Sequence, residues 1–139
     1  MAFLLDTDVC IHLINRRPGY ERLLERVARR EYGDVLISAV TMAELEFGVA
    51  KSVRGAENRN RLDLFLARFE LERFDERAAA AYGPLRARLE SRGEPIGPLD
   101  TLIAAHALAL RAILVTNNVR EFGRVTGLRL ENWLDGVSS

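Results

Sequence analysis

The sequence is poor in the residues that carry most side-chain chemistry: one cysteine, Cys10, two histidines, and among 20 cationic residues a single lysine, Lys51. One thiol cannot close an internal disulfide, and no basic residue beside Cys10 lowers its pKa, so it reads as a small buried apolar group. His12 and His106 sit among apolar neighbours and read as hydrogen-bonded core residues; neither has a second His or Cys at zinc-ligand spacing. Mechanisms that need a catalytic amine have one candidate. Aromatic residues make up 7% of the chain, too few for a base-stacking platform, and Trp133 reads as a packing residue. Charge of one sign is lacking as well: 20 cationic residues face 20 acidic ones, so any polyanion must be met locally rather than by bulk electrostatics. No apolar run approaches the roughly 20 residues of a membrane span; Leu102 to Leu110 is too short and is interrupted by His106. The start MAFLLDTD has neither the basic leader nor the apolar run of a secretion signal, and a cytoplasmic protein is expected.

What is present is an ordinary globular composition, 48% apolar and 29% charged over 139 residues, which predicts one domain spanning 1–139 with a real core. Ala2 to Leu5 reads as a strand, Asp8 to Asn15 as a short helix, Tyr20 to Tyr32 as an amphipathic helix, and Val35 to Ile37 as a second strand. Thr41-Met42-Ala43-Glu44 has the form of a capping box and predicts a helix start. Arg54 to Asn60 reads as a loop, Leu62 to Glu70 as helix and Leu71 to Phe74 as a strand. Asp75 to Arg92 and Leu99 to Leu110 read as helices, with Gly93 to Pro98 as the loop between them. Ala112 to Thr116 reads as a strand, Asn117-Asn118 as a polar turn before a short helix through Phe122, and Leu128 to Glu131 as a last strand. Strands alternating with helices imply a mostly parallel sheet covered on both faces, with its site at the carboxyl ends of the strands. Asp6, Asp8, Ser38 to Glu44 and Thr116 to Asn118 then share one edge, with Asp100 at the start of a helix that can lean toward it.

Carboxylates gathered there without a cation nearby in sequence suit a hard divalent ion, Mg²⁺ or Mn²⁺, which serves phosphoryl transfer without a nucleophilic side chain. Each acid also has a structural reading. Asp6 can end a strand and cap the following helix, Glu44 can be a capping-box residue, and Asp100 can favour the helix dipole from a first turn. Asp8 is expected to cap or support, because two positions into a helix it points elsewhere than Asp6. The Arg-rich stretches Arg16-Arg17, Arg54 to Arg61 and Arg86 to Arg92 read as solvated faces and as the local basic surface able to meet phosphates.

Four blocks, FLLDTDVCIHLI, SAVTMAELEFGV, GPLDTLIAAHAL and LVTNNVREFGRVTGLRLENW, run in order along nearly the whole chain. As a set they resemble the PIN-domain ribonucleases of the VapC toxin type. The resemblance implies an α/β fold, a three-layer α/β/α sandwich with a mostly parallel central sheet. It implies RNA cleavage by metal-activated water, with Asp6, Glu44 and Asp100 as catalytic acids and metal ligands. Thr116 and Asn118 would orient the water or the phosphate. It further implies a homodimer and a cognate VapB-type antitoxin that places a basic side chain in the acidic pocket. The chain departs from the family at Asn118, where many members carry a fourth acid; Glu121, one helical turn on, can compensate, and one metal and two both stay open.

Two other readings are compatible with the sequence. FLLDTDVC also resembles the Asp-x-Asp motif of haloacid dehalogenase-type phosphatases, with Asp6 as nucleophile and Asp8 as acid/base. That chemistry needs a downstream cation and a later acidic pair, and Lys51 is early and unaccompanied. A non-catalytic PIN-like RNA-binding module is the third reading, toward which Asn118 is a step.

Overall fold

The structure, a computed structural model, describes residues 1–135. Five strands form one sheet in the order β3-β2-β1-β4-β5: β1 (Phe3–Leu5), β2 (Val35–Ser38), β3 (Glu70–Glu72), β4 (Ile113–Val115) and β5 (Leu130–Glu131). Every neighbouring pair is parallel. Seven helices connect them among the described residues: α1 (Thr7–Ile14), α2 (Tyr20–Ala28), α3 (Ala39–Ala50), α4 (Gly55–Leu66), α5 (Glu76–Ser91), α6 (Pro98–Leu110) and α7 (Val119–Phe122).

The three inner strands β1, β2 and β4 are buried throughout and almost wholly apolar because both faces are covered, whereas the edge strands β3 and β5 carry glutamates. Phe3, Leu5, Val35, Ile37, Ile113 and Val115 pack with α1 to α4 and with buried Trp133; Leu4, Leu36 and Leu114 turn to the other face, against α5, α6 and α7. The period of two along each strand thus divides the core into the two halves of an α/β/α sandwich. The pairings Leu5 with Ile37 and Leu5 with Val115 bring β1, β2 and β4 to an end at one level, so Asp6, Ser38 and Thr116 emerge side by side.

Several expected boundaries move. Helix α3 starts at Ala39, not at Thr41: Ser38 is the N-cap and its Oγ accepts from Val40 N at 3.0 Å. Thr41 and Glu44 therefore lie inside the helix with side chains free to bond elsewhere. The polar run 54–60 is not a loop either. It is the exposed first half of α4, started by Ser52, whose Oγ accepts from Arg54 N at 3.0 Å and from Asn58 Nδ2 at 2.5 Å. The third strand starts earlier and is shorter than expected, Glu70–Glu72 in place of Leu71 to Phe74, because α4 ends at Leu66 and not at Glu70. No helix among the described residues is long and apolar enough to cross a membrane.

Candidate active site

Asp6 leaves β1 and at once becomes the N-cap of α1, its Oδ1 accepting from Val9 N at 2.8 Å. The capping role and a role at the site are therefore compatible, since a carboxylate has a second oxygen to offer. Asp6 is 3% exposed, and burial raises its pKa to about 6. The Thr116 hydroxyl and Val9 N oppose that rise, while the charges of Asp8 and Glu44 add to it.

Asp100 lies in the first turn of α6, which Pro98 opens at a position where a missing N–H costs nothing. Thr101 fastens that turn by donating from Oγ1 to Gly97 O at 2.8 Å. The pKa of Asp100 is likewise raised to about 6, by burial first and then by the charges of Glu121, Asp6 and Glu44. Asp100 thus feels Glu121, Asp6 and Glu44, and Asp6 feels Glu44, although these acids come from four different segments.

Glu121 is the residue that sequence spacing placed only loosely. Its Oε1 accepts from Gly97 N at 3.2 Å and its Oε2 from Asn118 Nδ2 at 3.0 Å, which sets its carboxylate against the start of α6 and in hydrogen-bond contact with Asp100. The turn that carries it is tight: a Cβ on Gly123 would stand 2.7 Å from Val119 O, so the glycine after Phe122 is required for the chain to close there.

The two polar residues assigned to water or phosphate are bonded to acids. Thr116 is fully buried; its hydroxyl binds the Asp6 carboxylate and its Oγ1 accepts from Asn118 N at 2.9 Å. Asn118 is the N-cap of α7, its Oδ1 accepting from Glu121 N at 3.3 Å while its amide donates to the Glu121 carboxylate. Both side chains orient acids.

Glu44 is reached from α1. Thr7 Oγ1 lies 2.6 Å from Glu44 Oε1 and 3.0 Å from Thr41 Oγ1, so Thr7, which sequence reasoning passed over, holds the α3 acid; only its place directly after Asp6 signalled it. Asp8 points away, paired with Arg17 at 3.5 Å on the surface. His106 is a core residue, its Nδ1 2.8 Å from Ser38 Oγ, but His12 is only half-buried and its Nε2 meets Pro18 O at 2.7 Å, because α1 ends beside that turn. Cys10 is wholly buried, and burial raises its thiol pKa. Lys51 sits at the end of α3 over the exposed Phe47 ring, which leaves the aspartyl-phosphate reading without its cation.

Among the described residues none of Asp6, Glu44, Asp100 and Glu121 forms an ion pair. An all-oxygen donor set in which Asp6 and Asp100 are raised to about 6, with no cationic partner among the described residues, fits a hard divalent ion. Among the same residues no three His, Cys, Asp or Glu side chains stand close enough together to hold a metal ion as they are placed.

Residues 3–128 match the PIN domain family. The Ribonuclease VapC2 of Rickettsia felis is 44% identical over 134 residues, covering 96% of this chain and 98% of that protein. The tRNA(fMet)-specific endonuclease VapC of Shigella flexneri is 41% identical over 133 residues, with 96% and 98% covered. Among solved structures, the DNA-bound VapBC of Salmonella typhimurium superposes with a TM-score of 0.90 at 38% identity, over 96% of this chain and 98% of that one.

Proposed function

The chain belongs to the PIN-domain family, within the VapC ribonucleases, and on that footing we propose that it is the endoribonuclease toxin of a toxin-antitoxin pair. It hydrolyses RNA phosphodiester bonds at the carboxyl edge of the sheet, with Mg²⁺ or Mn²⁺ as cofactor. The observation that carries this reading is the set of four carboxylates at that edge, two of them raised to about 6, with no cationic partner among the described residues. Such an arrangement costs stability, and a protein that keeps it does so for what binds there.

Asp6, Asp100 and Glu44 would hold the ion, with Glu121 beside Asp100 supplying the charge that Asn118 does not. When bound, the ion supplies Lewis acidity and lowers the pKa of a water molecule. The chain's own contribution is orientation: Thr116 fixes Asp6, Thr7 fixes Glu44, and Asn118 fixes Glu121, so the acids need little rearrangement when a phosphodiester arrives. The Shigella relative makes tRNA(fMet) the first substrate to try.

A VapB-type antitoxin is the proposed inhibitor. A groove of about 820 Å³ runs between α1, α2 and α4, with Leu13, Leu24 and Phe65 as apolar lining and Arg61 and Arg68 at its rim. A smaller hollow of about 200 Å³ shares Ile14 and Arg61 with it and reaches Glu44, so a segment lying in the groove leads toward the acidic edge, where an arginine would first meet Glu44.

The test is direct. Toxin freed of antitoxin is incubated with tRNA(fMet) and total RNA in Mg²⁺ or Mn²⁺, beside Asp6→Asn and an EDTA control, with a phosphatase ester in parallel. Fragments that require both the metal and Asp6, with the ester untouched, are the expected result; intact RNA under all conditions would overturn the nuclease reading.

A further inference from the structure

We propose that Thr7 is a positioning residue that restricts Glu44 to offering one carboxylate oxygen at the site, and that buried Thr41 sets the direction of the Thr7 hydroxyl. The proposal rests on the metal-dependent reading above and deepens it.

Thr7 is the first residue of α1, directly after Asp6, whereas Glu44 lies on α3, 37 positions along the chain. Their side chains meet at 2.6 Å, the short end of the range for a hydroxyl donating to an ionised carboxylate. A carboxylate at neutral pH only accepts, so the Thr7 proton must point at Glu44 Oε1. Thr7 Oγ1 is then left with lone pairs, and the group 3.0 Å away, Thr41 Oγ1, donates to one of them. Thr41 is wholly buried, and Thr7 is the one side-chain partner of its hydroxyl among the described residues. The polarity of the chain Thr41 to Thr7 to Glu44 is therefore fixed by proton count.

With Oε1 engaged by Thr7, Oε2 is the oxygen Glu44 has to give. That matters for which ion suits the site. Mg²⁺ demands near-octahedral geometry with single-oxygen ligands, whereas Ca²⁺ accepts bidentate carboxylates and a looser shell. Removing the Thr7 hydroxyl frees Glu44 to turn and present both oxygens, a change Ca²⁺ tolerates and Mg²⁺ does not. The positioning bond thus acts on metal selectivity as well as on affinity, which a merely structural threonine would not do.

The experiment is calorimetric titration of antitoxin-free protein with Mg²⁺ alone and with Ca²⁺ alone, for wild type, Thr7→Val, Thr7→Ser, Thr41→Val and Glu44→Gln, with melting curves in the absence of metal. Thr7→Val should weaken Mg²⁺ binding about tenfold, as loss of a hydrogen bond to a ligand usually does, while Ca²⁺ binding changes by less than about threefold. Thr7→Ser, which keeps the hydroxyl, should restore both. Thr41→Val, close to isosteric in a buried position, should move Mg²⁺ binding in the same direction by a smaller factor and serves if Thr7→Val does not fold. The proposal is overturned if Thr7→Val or, in its place, Thr41→Val leaves the Mg²⁺ to Ca²⁺ ratio at the wild-type value, or if serine fails to rescue. Wild type that binds neither ion would instead overturn the metal reading, and the proposal with it, which separates the two failures.

Discussion

Glu44 and Glu46 stand two residues apart on the same helix and meet opposite surroundings. Glu46 is held by Arg59 of α4, with Arg59 Nη1 3.1 Å from Glu46 Oε2 and a second, shorter contact to Oε1; Arg59 also reaches Asp63 at 3.2 Å. That arginine lowers the pKa of Glu46 through its hydrogen bonds first and its charge second. Glu44 has a threonine hydroxyl and, among the described residues, no cation. The contrast extends over the molecule: Arg29 with Glu25 and Arg86 with Glu90 are paired one helical turn apart, while Asp6 at the end of β1 and Asp100 in the first turn of α6 are pushed up to about 6. A chain with 19 arginines could have neutralised its strand-end acids. Leaving them to be held by hydroxyls and amides keeps the edge negative and vacant of internal competitors, as a site for an external cation requires.

The comparison breaks if the two glutamates are interchangeable. Glu44→Gln should lower RNA cleavage by about 100-fold in single-turnover assays, the size of effect that loss of one preorganised charged group typically has. Glu46→Gln should leave the rate within about twofold, since exposed ion pairs contribute little. Equal losses would remove the distinction between a site acid and a surface acid.

Stability sharpens it further. Asp6 has an ordinary pKa of 3.8 and a native value of about 6, so the folded state holds the proton more tightly than the unfolded one. Stability without metal should therefore fall as pH rises from about 4 to about 6 and stay low above that, by on the order of 3 kcal/mol for this group. Asp6→Asn keeps an N-cap for α1 and removes the charge, so its melting temperature should exceed that of wild type at pH 8 and converge with it near pH 4. A variant less stable than wild type at pH 8 would mean that Asp6 is already compensated inside the protein. Saturating Mg²⁺ should raise the wild-type melting temperature at neutral pH and leave Asp6→Asn nearly unmoved.

A smaller effect concerns the pair at the start of α6. Glu121 holds the pKa of Asp100 up by its charge and by a shared hydrogen bond. Glu121→Gln should move the Asp100 titration downward, measured by carboxyl NMR in metal-free protein. An unchanged midpoint would show that burial alone sets it. Smallest of all, Arg59→Ala should shift the melting temperature by no more than about 2 °C, and less in high salt.

Much of this was readable along the chain, and the reasons are local. Apolar strands alternating with helices predicted the parallel sheet, because strands covered on both faces carry no polar alternation. Asp6 and Asp100 stand out as candidates only through the motif blocks that contain them, because a strand end and a proline-led first turn also suit a carboxylate as a cap or a dipole partner. The misreadings also have local causes. Thr41 and Glu44 carry the spacing of a capping box, but Ser38 comes first and takes the cap, which frees both for Thr7. The polar run at 54–60 looked like a loop because an exposed first half of an amphipathic helix has little apolar content to display.

By itself the sequence determined the parallel sheet covered by helices on both faces and the strand ends that share one edge, which follow from periodicity along the chain, whereas Asp6, Glu44 and Asp100 are candidates that the motif blocks imply. The tertiary structure alone decided which partner each acid received. Thr7 with Glu44, Thr116 with Asp6 and Glu46 with Arg59 bridge different secondary-structure elements, and hydrogen bonds and ion pairs are made across space at about 3 Å, a distance that no linear spacing records.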